Sequence, residues 1–165
     1  MNWFKKLFSK RNLPEAIPLP EGSPVTSDYL KSMLLSIDDK ARVDKWDAGP
    51  FRTIPWRDMA RLYKTVPALP VWKKDVWNCN KIARFTAAWI NKVWAEMGGT
   101  MPLAHGVIHG MVPLDGNSFE SGPHSLCWFY AEDLKFWLYG SIERSIKNQS
   151  ENGLIKKVYE FSVGG

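Results

Sequence analysis

Cys79 opens the most regular amphipathic stretch of the chain, and His124 opens an apolar run 45 residues downstream. A thiol in the first turn of a helix lies beside unpaired backbone N–H groups and the positive end of the helix dipole, and both favour thiolate. A histidine brought against it from a neighbouring strand completes an ion pair. The thiolate can then attack a carbonyl whose developing oxyanion is received by N–H groups at the same helix end. Cysteine on a helix start, followed in the chain by histidine on a strand, is the layout of a cysteine hydrolase. The same residues admit a plainer reading, with Cys79 a small buried apolar residue and His124 a strand-end residue.

His105, His109, His124 and Cys127 raise zinc as an alternative. His105 and His109 share one face of a strand, but Cys127 alternates to the face opposite His124, so four convergent ligands would need a bulge. No metal and no other cofactor is therefore expected. His105 and His109 read as polar or packing positions beside Val107 and Met111.

The elements that must position such a pair are legible in the periodicity. From Cys79, the residues Ile82, Ala83, Thr86, Trp89, Ile90, Val93, Trp94 and Met97 keep helical period until Gly98-Gly99. Upstream, Thr26, Ser27 and Asp28 each offer a cap for a helix carrying Leu30, Met33, Leu34 and Ile37, which ends before Gly49-Pro50. A shorter helix starts near Pro55 or Trp56, runs through Met59, Leu62 and Tyr63, and is stopped by Pro67 and Pro70. After the glycines the pattern changes to strands at Leu103 to Val112, His124 to Tyr130 and Leu134 to Tyr139, the last two joined by Ala131-Glu132-Asp133. A final strand runs from Lys156 to Val163, with Val158 and Glu160 facing one way and Tyr159, Phe161 and Val163 the other. Helices followed by an antiparallel sheet packed on the Cys79 helix define an α+β domain.

With 165 residues, 45% of them hydrophobic, the chain has the size of one domain, expected over residues 25–165 behind an arm at 1–24. Nine Trp and eight Phe exclude a disordered chain and call for an aromatic-rich core or interface. Two cysteines are too few for a stapled secreted fold, and no stretch has the apolar length and cleavage signature of a signal peptide. A reducing, intracellular site of synthesis is expected, with no transmembrane segment.

The net charge of +5 is unevenly spread: Lys5, Lys6, Lys10 and Arg11 carry four of those charges within residues 1–12, leaving +1 on the other 153. A body this close to neutral lacks the basic face that phosphate neutralisation requires, so nucleic acid is not expected as a partner. Residues 1–12 instead form an amphipathic helix candidate, with Trp3, Phe4, Leu7 and Phe8 on one stripe and Lys5 and Lys6 on the remaining arc. That stripe suits a groove on a partner protein or a membrane surface, or it folds back on its own domain. Pro14, Pro18, Pro20 and Pro24 make the following stretch an extended strap.

Three stretches carry a resemblance. Asp75-Val76-Trp77-Asn78-Cys79-Asn80-Lys81-Ile82-Ala83, His105-Gly106-Val107-Ile108-His109-Gly110-Met111-Val112-Pro113 and Gly122-Pro123-His124-Ser125-Leu126-Cys127-Trp128 occur in that order within residues 28–142. They resemble the Asp-Cys-Asp helix start, the Gly-containing central strand and the His-aliphatic strand of the papain-like C-terminal domain of the mushroom agglutinin (MOA-related lectin) family, versions of which occur as small stand-alone proteins of tailed bacteriophages. The resemblance implies a papain-like fold with Cys79 as nucleophile and His124 as base. It also exposes departures. Asn78 and Asn80 replace the family's flanking aspartates, and Trp137-Leu138-Tyr139-Gly140 occupies the region where the family places an acid behind the histidine. No group there holds the imidazole tautomer unless Ser141, Glu143 or Glu160 reaches across.

The expectation is therefore a bacteriophage protein with a degenerate, non-catalytic papain-like domain. It would be made in the host cytoplasm and act as a virion-associated docking module, its arm binding other phage or virion subunits. The first alternative is an active cysteine peptidase or hydrolase using Cys79 and His124. The second is a membrane-surface effector anchored by Trp3, Phe4, Leu7 and Phe8.

Overall fold

The computed structural model describes residues 22–46, 49–69, 78–112, 122–152, 155 and 157–164. Most of the predicted arm, including Trp3, Phe4, Lys5, Lys6, Leu7 and Phe8, lies outside the described residues. The last part of the strap lies against the body: Ser23 O accepts the Thr53 N–H at 3.0 Å, and β1 (Pro24–Val25) pairs antiparallel with β3 (Phe51–Arg52).

Helix α1 spans Ser27–Leu35 and is capped by Thr26, whose hydroxyl accepts the Tyr29 N–H at 3.2 Å. It is shorter than the sequence pattern predicts. Turn chemistry ends it: the Ser36 hydroxyl donates to Met33 O, and Asp38 accepts the N–H groups of Lys40 and Val158. The chain then enters β2 (Arg42–Trp46) instead of continuing as helix. Helix α2 (Trp56–Lys64) and helix α3 (Cys79–Glu96) follow where the periodicity places them.

Strands β4 (His105–Val112), β5 (Gly122–Tyr130), β6 (Phe136–Gly140), β7 (Ser145–Asn148) and β8 (Lys157–Val163) complete the fold, with a four-residue helix α4 (Gln149–Asn152) before β8. The large sheet has the order β2-β8-β4-β5-β6-β7. Every neighbouring pair in it is antiparallel except β2 and β8, which run parallel. The expected purely antiparallel sheet is thus corrected to a mixed one, because β2 joins from the helical half of the chain. The architecture is α+β.

Alternation along the strands divides the core into two layers. On one face Leu126, Trp128, Phe161 and Val163 pack with Leu30 and Leu34 of α1. On the other Val107, Cys127 and Phe129 pack with Met59 and Tyr63 of α2 and with Ala83, Ala87 and Ile90 of α3. Each large side chain buried in this way contributes about 1.5–3 kcal/mol by removal from water. The facing predicted for β8 does not hold through its whole length. A register shift opposite His109 and Gly110 leaves Tyr159 as an extra residue, so Val158 joins Phe161 and Val163 in one core while Tyr159 is exposed. The shift also sets Glu160 opposite His109.

At Gly106 β4 lies close against β8. The Trp128 indole N–H donates to Ser162 O at 2.9 Å, and a Cβ on Gly106 would fall 1.9 Å from that oxygen and 2.9 Å from the indole nitrogen. Gly106→Ala is expected to lower unfolding free energy by about 3 kcal/mol through overpacking. Urea denaturation checks this; a loss below about 0.5 kcal/mol would place the substitution among neutral surface changes.

Candidate active site

The site begins with the cap of α3. Asn78 is extended (φ −91°, ψ 174°), and its side-chain oxygen accepts the Lys81 N–H at 3.1 Å, which starts the helix at Cys79. The neighbouring Asn80 accepts from Arg84 Nε at 2.8 Å. Asn78 thus caps the helix start, and Asn80 ties its first turn to the next. Helix geometry leaves the N–H groups of Cys79 and Asn80 without an intrahelical acceptor. Cys79 itself is half-buried.

Strand β5 brings His124 and Ser125 to this helix end. Both are buried, at 8% and 7% exposure, and both hydrogen-bond Cys79. The imidazole also has a carboxylate partner: His124 Nε2 lies 3.1 Å from Glu143 Oε1. With Nε2 engaged by the carboxylate, Nδ1 is left to face the thiol. The expectation that the Trp137–Gly140 region supplies no acid holds, and of the three residues named as able to reach across, Glu143 meets the ring, so the lack of an orienting acid is corrected. Glu143 comes from the turn between β6 and β7, three residues beyond the end of β6. Arg144 fixes that turn in the left-handed region (φ 52°), and its guanidinium donates to Val66 O at 2.9 Å and Pro67 O at 3.4 Å, just past α2. Such a conformation costs a non-glycine residue about 1–3 kcal/mol, which these anchors offset.

Electrostatics make the three side chains one unit. The hydrogen bond from His124 is the main cause that lowers the Cys79 thiol to about 7; burial opposes it, and bonds from the Ser125 hydroxyl and N–H assist. For His124, burial opposes the charged form, but it is outweighed by the hydrogen bonds to Cys79 and Glu143 and by their negative charges, which hold the ring at about 9. A thiol near 7 beside an imidazole near 9 favours the thiolate–imidazolium pair between those values, and both values belong to the coupled pair.

The remaining candidates go elsewhere. Cys127 is fully buried under α3, donates to Ala83 O at 3.3 Å, and is pushed up to about 12 by burial. His105 bonds Asn91 Oδ1 through Nε2 at 2.6 Å, while the Asn91 amide donates to Gly164 O at 3.0 Å. That arrangement puts the His105 proton on Nε2, and burial lowers the ring to about 4. His109 bonds Ser125. Among the described residues no group of three or more His, Cys, Asp or Glu could hold a metal ion, and no helix is long and apolar enough to cross a membrane.

Sequence reasoning paired Cys79 with His124 but gave no role to Ser125 and assigned no acid. For Ser125 the available signal was its place next to His124 and opposite His109. For Glu143 it was only the presence of a carboxylate a few residues past the strand that follows the hairpin.

No family model matches the chain, and no curated protein matches it. A solved structure described as "PSL1a-E64 complex" superposes with a TM-score of 0.61 at 15% identity, covering 84% of this chain and 50% of that one. The chain thus spans about half the length of that solved chain. The likeness is one of fold.

Iodoacetamide is expected to alkylate Cys79 with a pH midpoint near 7 and to spare Cys127 until the protein unfolds. His124→Ala should move the midpoint up toward the ordinary thiol value of about 8.5. Peptide mass mapping of the labelled protein checks both; equal labelling of the two cysteines would contradict the geometry.

Proposed function

We propose that the chain is a papain-like cysteine hydrolase in which Cys79 is the nucleophile, His124 the general base and acid, and Glu143 the group that orients the imidazole. The observation that carries this reading is the 3.1 Å contact between His124 Nε2 and Glu143 Oε1, on the same ring that hydrogen-bonds Cys79. A ring clamped at one nitrogen presents the other to the sulfur in a single tautomer and orientation.

In the proposed reaction the Cys79 thiolate attacks the carbonyl carbon of an amide or ester. The N–H groups of Cys79 and Asn80 face the developing oxyanion. The His124 imidazolium gives its proton to the leaving amine or alcohol as the C–N or C–O bond breaks, leaving a thioester on Cys79. Water then attacks the thioester, His124 takes up its proton, and release of the carboxylic acid restores the thiolate–imidazolium pair. Glu143 stays ionised and stabilises the imidazolium. The solved structure of similar fold supports the reading, because it is a complex with a cysteine-protease inhibitor.

The docking-module reading rested on the arm, the many tryptophans and the missing acid together. Glu143 beside His124 removes the last of these supports, and residues 1–12, which lie outside the described residues, stay the candidate attachment segment of the proposed hydrolase.

The sign of the pH dependence follows from the pair. Below about 7 the thiolate is protonated, and above about 9 the imidazolium loses the proton the leaving group needs, so acylation is bell-shaped between these limbs. Labelling by E64 tests the reading. One inhibitor per chain is expected, none on Cys79→Ser, and a rate on the order of 10²-fold lower for Glu143→Gln. Labelling unchanged by Glu143→Gln, or located on another residue, would contradict the proposal.

A further inference from the structure

Beside the Cys79–His124 pair stands a second set of side chains that the hydrolytic scheme leaves unused. Ser125 Oγ lies 2.5 Å from His109 Nδ1, and His109 Nε2 lies 4.0 Å from Glu160 Oε1. Sheet register lines the three up, because β4 sets His109 opposite Ser125 on one side and opposite Glu160 on the other. The bulge at Tyr159 sets the second pairing. Arg42 from β2 and Arg84 from α3 both pair with Glu160 and hold its carboxylate beside the ring.

The tautomer follows from these neighbours. A carboxylate beside Nε2 favours the proton on that nitrogen, so Nδ1 of the neutral ring carries the lone pair and accepts the Ser125 hydroxyl. A hydroxyl bonded to an imidazole lone pair, with a carboxylate at the ring's other nitrogen, is the arrangement that turns a weak alcohol into a nucleophile. Packing brings that hydroxyl to the start of α3. Cys127, two residues along the same face of β5, donates to Ala83 O at 3.3 Å, and the two elements meet at their starts, where His124 bonds Cys79. Two residues of strand advance about 6.6 Å and four of helix about 6 Å, so Ser125 faces α3 at Cys79. Ser125 keeps 7% exposure and the His109 side chain 16%, so the pair borders the surface, unlike the sealed His105.

We propose that Ser125, His109 and Glu160 form a second nucleophilic unit, in which Ser125 attacks carboxylic esters, His109 is its general base and Glu160 positions the ring. The unit stands on its own contacts and does not need Cys79 to be a nucleophile. In acylation, Ser125 Oγ bonds to the carbonyl carbon while its proton passes to His109 Nδ1, with Glu160 facing the imidazolium so formed. The N–H groups of Cys79 and Asn80 face the developing oxyanion. The imidazolium then protonates the leaving alcohol as the C–O bond breaks, and an ester on Ser125 remains. Water attacks that ester and gives a proton to His109, which returns it to Ser125 Oγ as the carboxylic acid leaves.

A fluorophosphonate tests this in the full chain carrying Cys79→Ala, where no active thiol competes. Attack by Ser125 Oγ forms a P–O bond and expels fluoride, so one label per chain is expected, on Ser125 by peptide mapping. His109→Ala on that background should slow labelling on the order of 10²-fold. Where thermal unfolding shows that this variant does not fold, His109→Asn takes its place. Glu160→Gln should move the acidic limb of the labelling profile to lower pH, because the imidazolium loses the carboxylate that favours it. An unlabelled Ser125 in Cys79→Ala, or a rate unchanged by His109→Ala, would overturn the inference and leave the hydrolase reading of Cys79 intact. An acidic limb unmoved by Glu160→Gln would overturn the part given to Glu160. E64 failing on the wild type while Ser125 is labelled would instead overturn the hydrolase reading and support the serine unit.

Discussion

The imidazole of His124, clamped between a sulfur and a carboxylate, is the constraint around which the site is organised. A buried ring resists charging, and here two hydrogen-bonded partners of negative character more than compensate. Removing either partner would leave a buried, half-satisfied histidine. The three side chains come from a helix start, a strand start and a turn, so their meeting depends on the packing of α3 against β5 and of the β6–β7 turn against the end of α2. The apolar contacts of Ala83, Ala87, Cys127 and Phe129 hold the first of these. The Arg144 bonds to Val66 and Pro67 hold the second.

The two cysteines show how position alone separates reactive from inert thiols. Cys79 has a helix end, an imidazole and a hydroxyl around it, and is lowered to about 7. Cys127 lies in the apolar layer between α3 and the sheet, and burial raises it to about 12. Two of the histidines divide in the same way. His105 is sealed against Asn91 and stays neutral, whereas His124 is charged by its partners. Chemistry at this site is therefore set by neighbours that packing delivers, more than by residue type.

Much of the scaffold was legible because its signals are local. The period from Ile82 to Met97, the cap at Asn78 and the glycines at 98 and 99 give α3 almost to the residue, and four strands follow from alternating apolar runs bounded by turn residues. Cys79 and His124 were legible for the same reason, each marking the start of a well-patterned element. Strand β2 was not, because it is a five-residue edge strand whose parallel partner is more than a hundred residues away. The Tyr159 bulge was hidden too, since strict alternation cannot report an extra residue. Glu143 could be named only beside Ser141 and Glu160, because no pattern encodes the path of the turn after β6. That turn depends on a left-handed Arg144 and on carbonyls contributed by the end of α2.

The central claim is that Glu143 and Cys79 together keep His124 charged at neutral pH. Titration of the His124 ring by NMR measures this most directly, in the wild type and in Glu143→Gln and Cys79→Ser. The account predicts a ring that titrates near 9 in the wild type and at lower pH in each variant. A ring that titrates near its ordinary value of about 6.5, unmoved by either substitution, would contradict it.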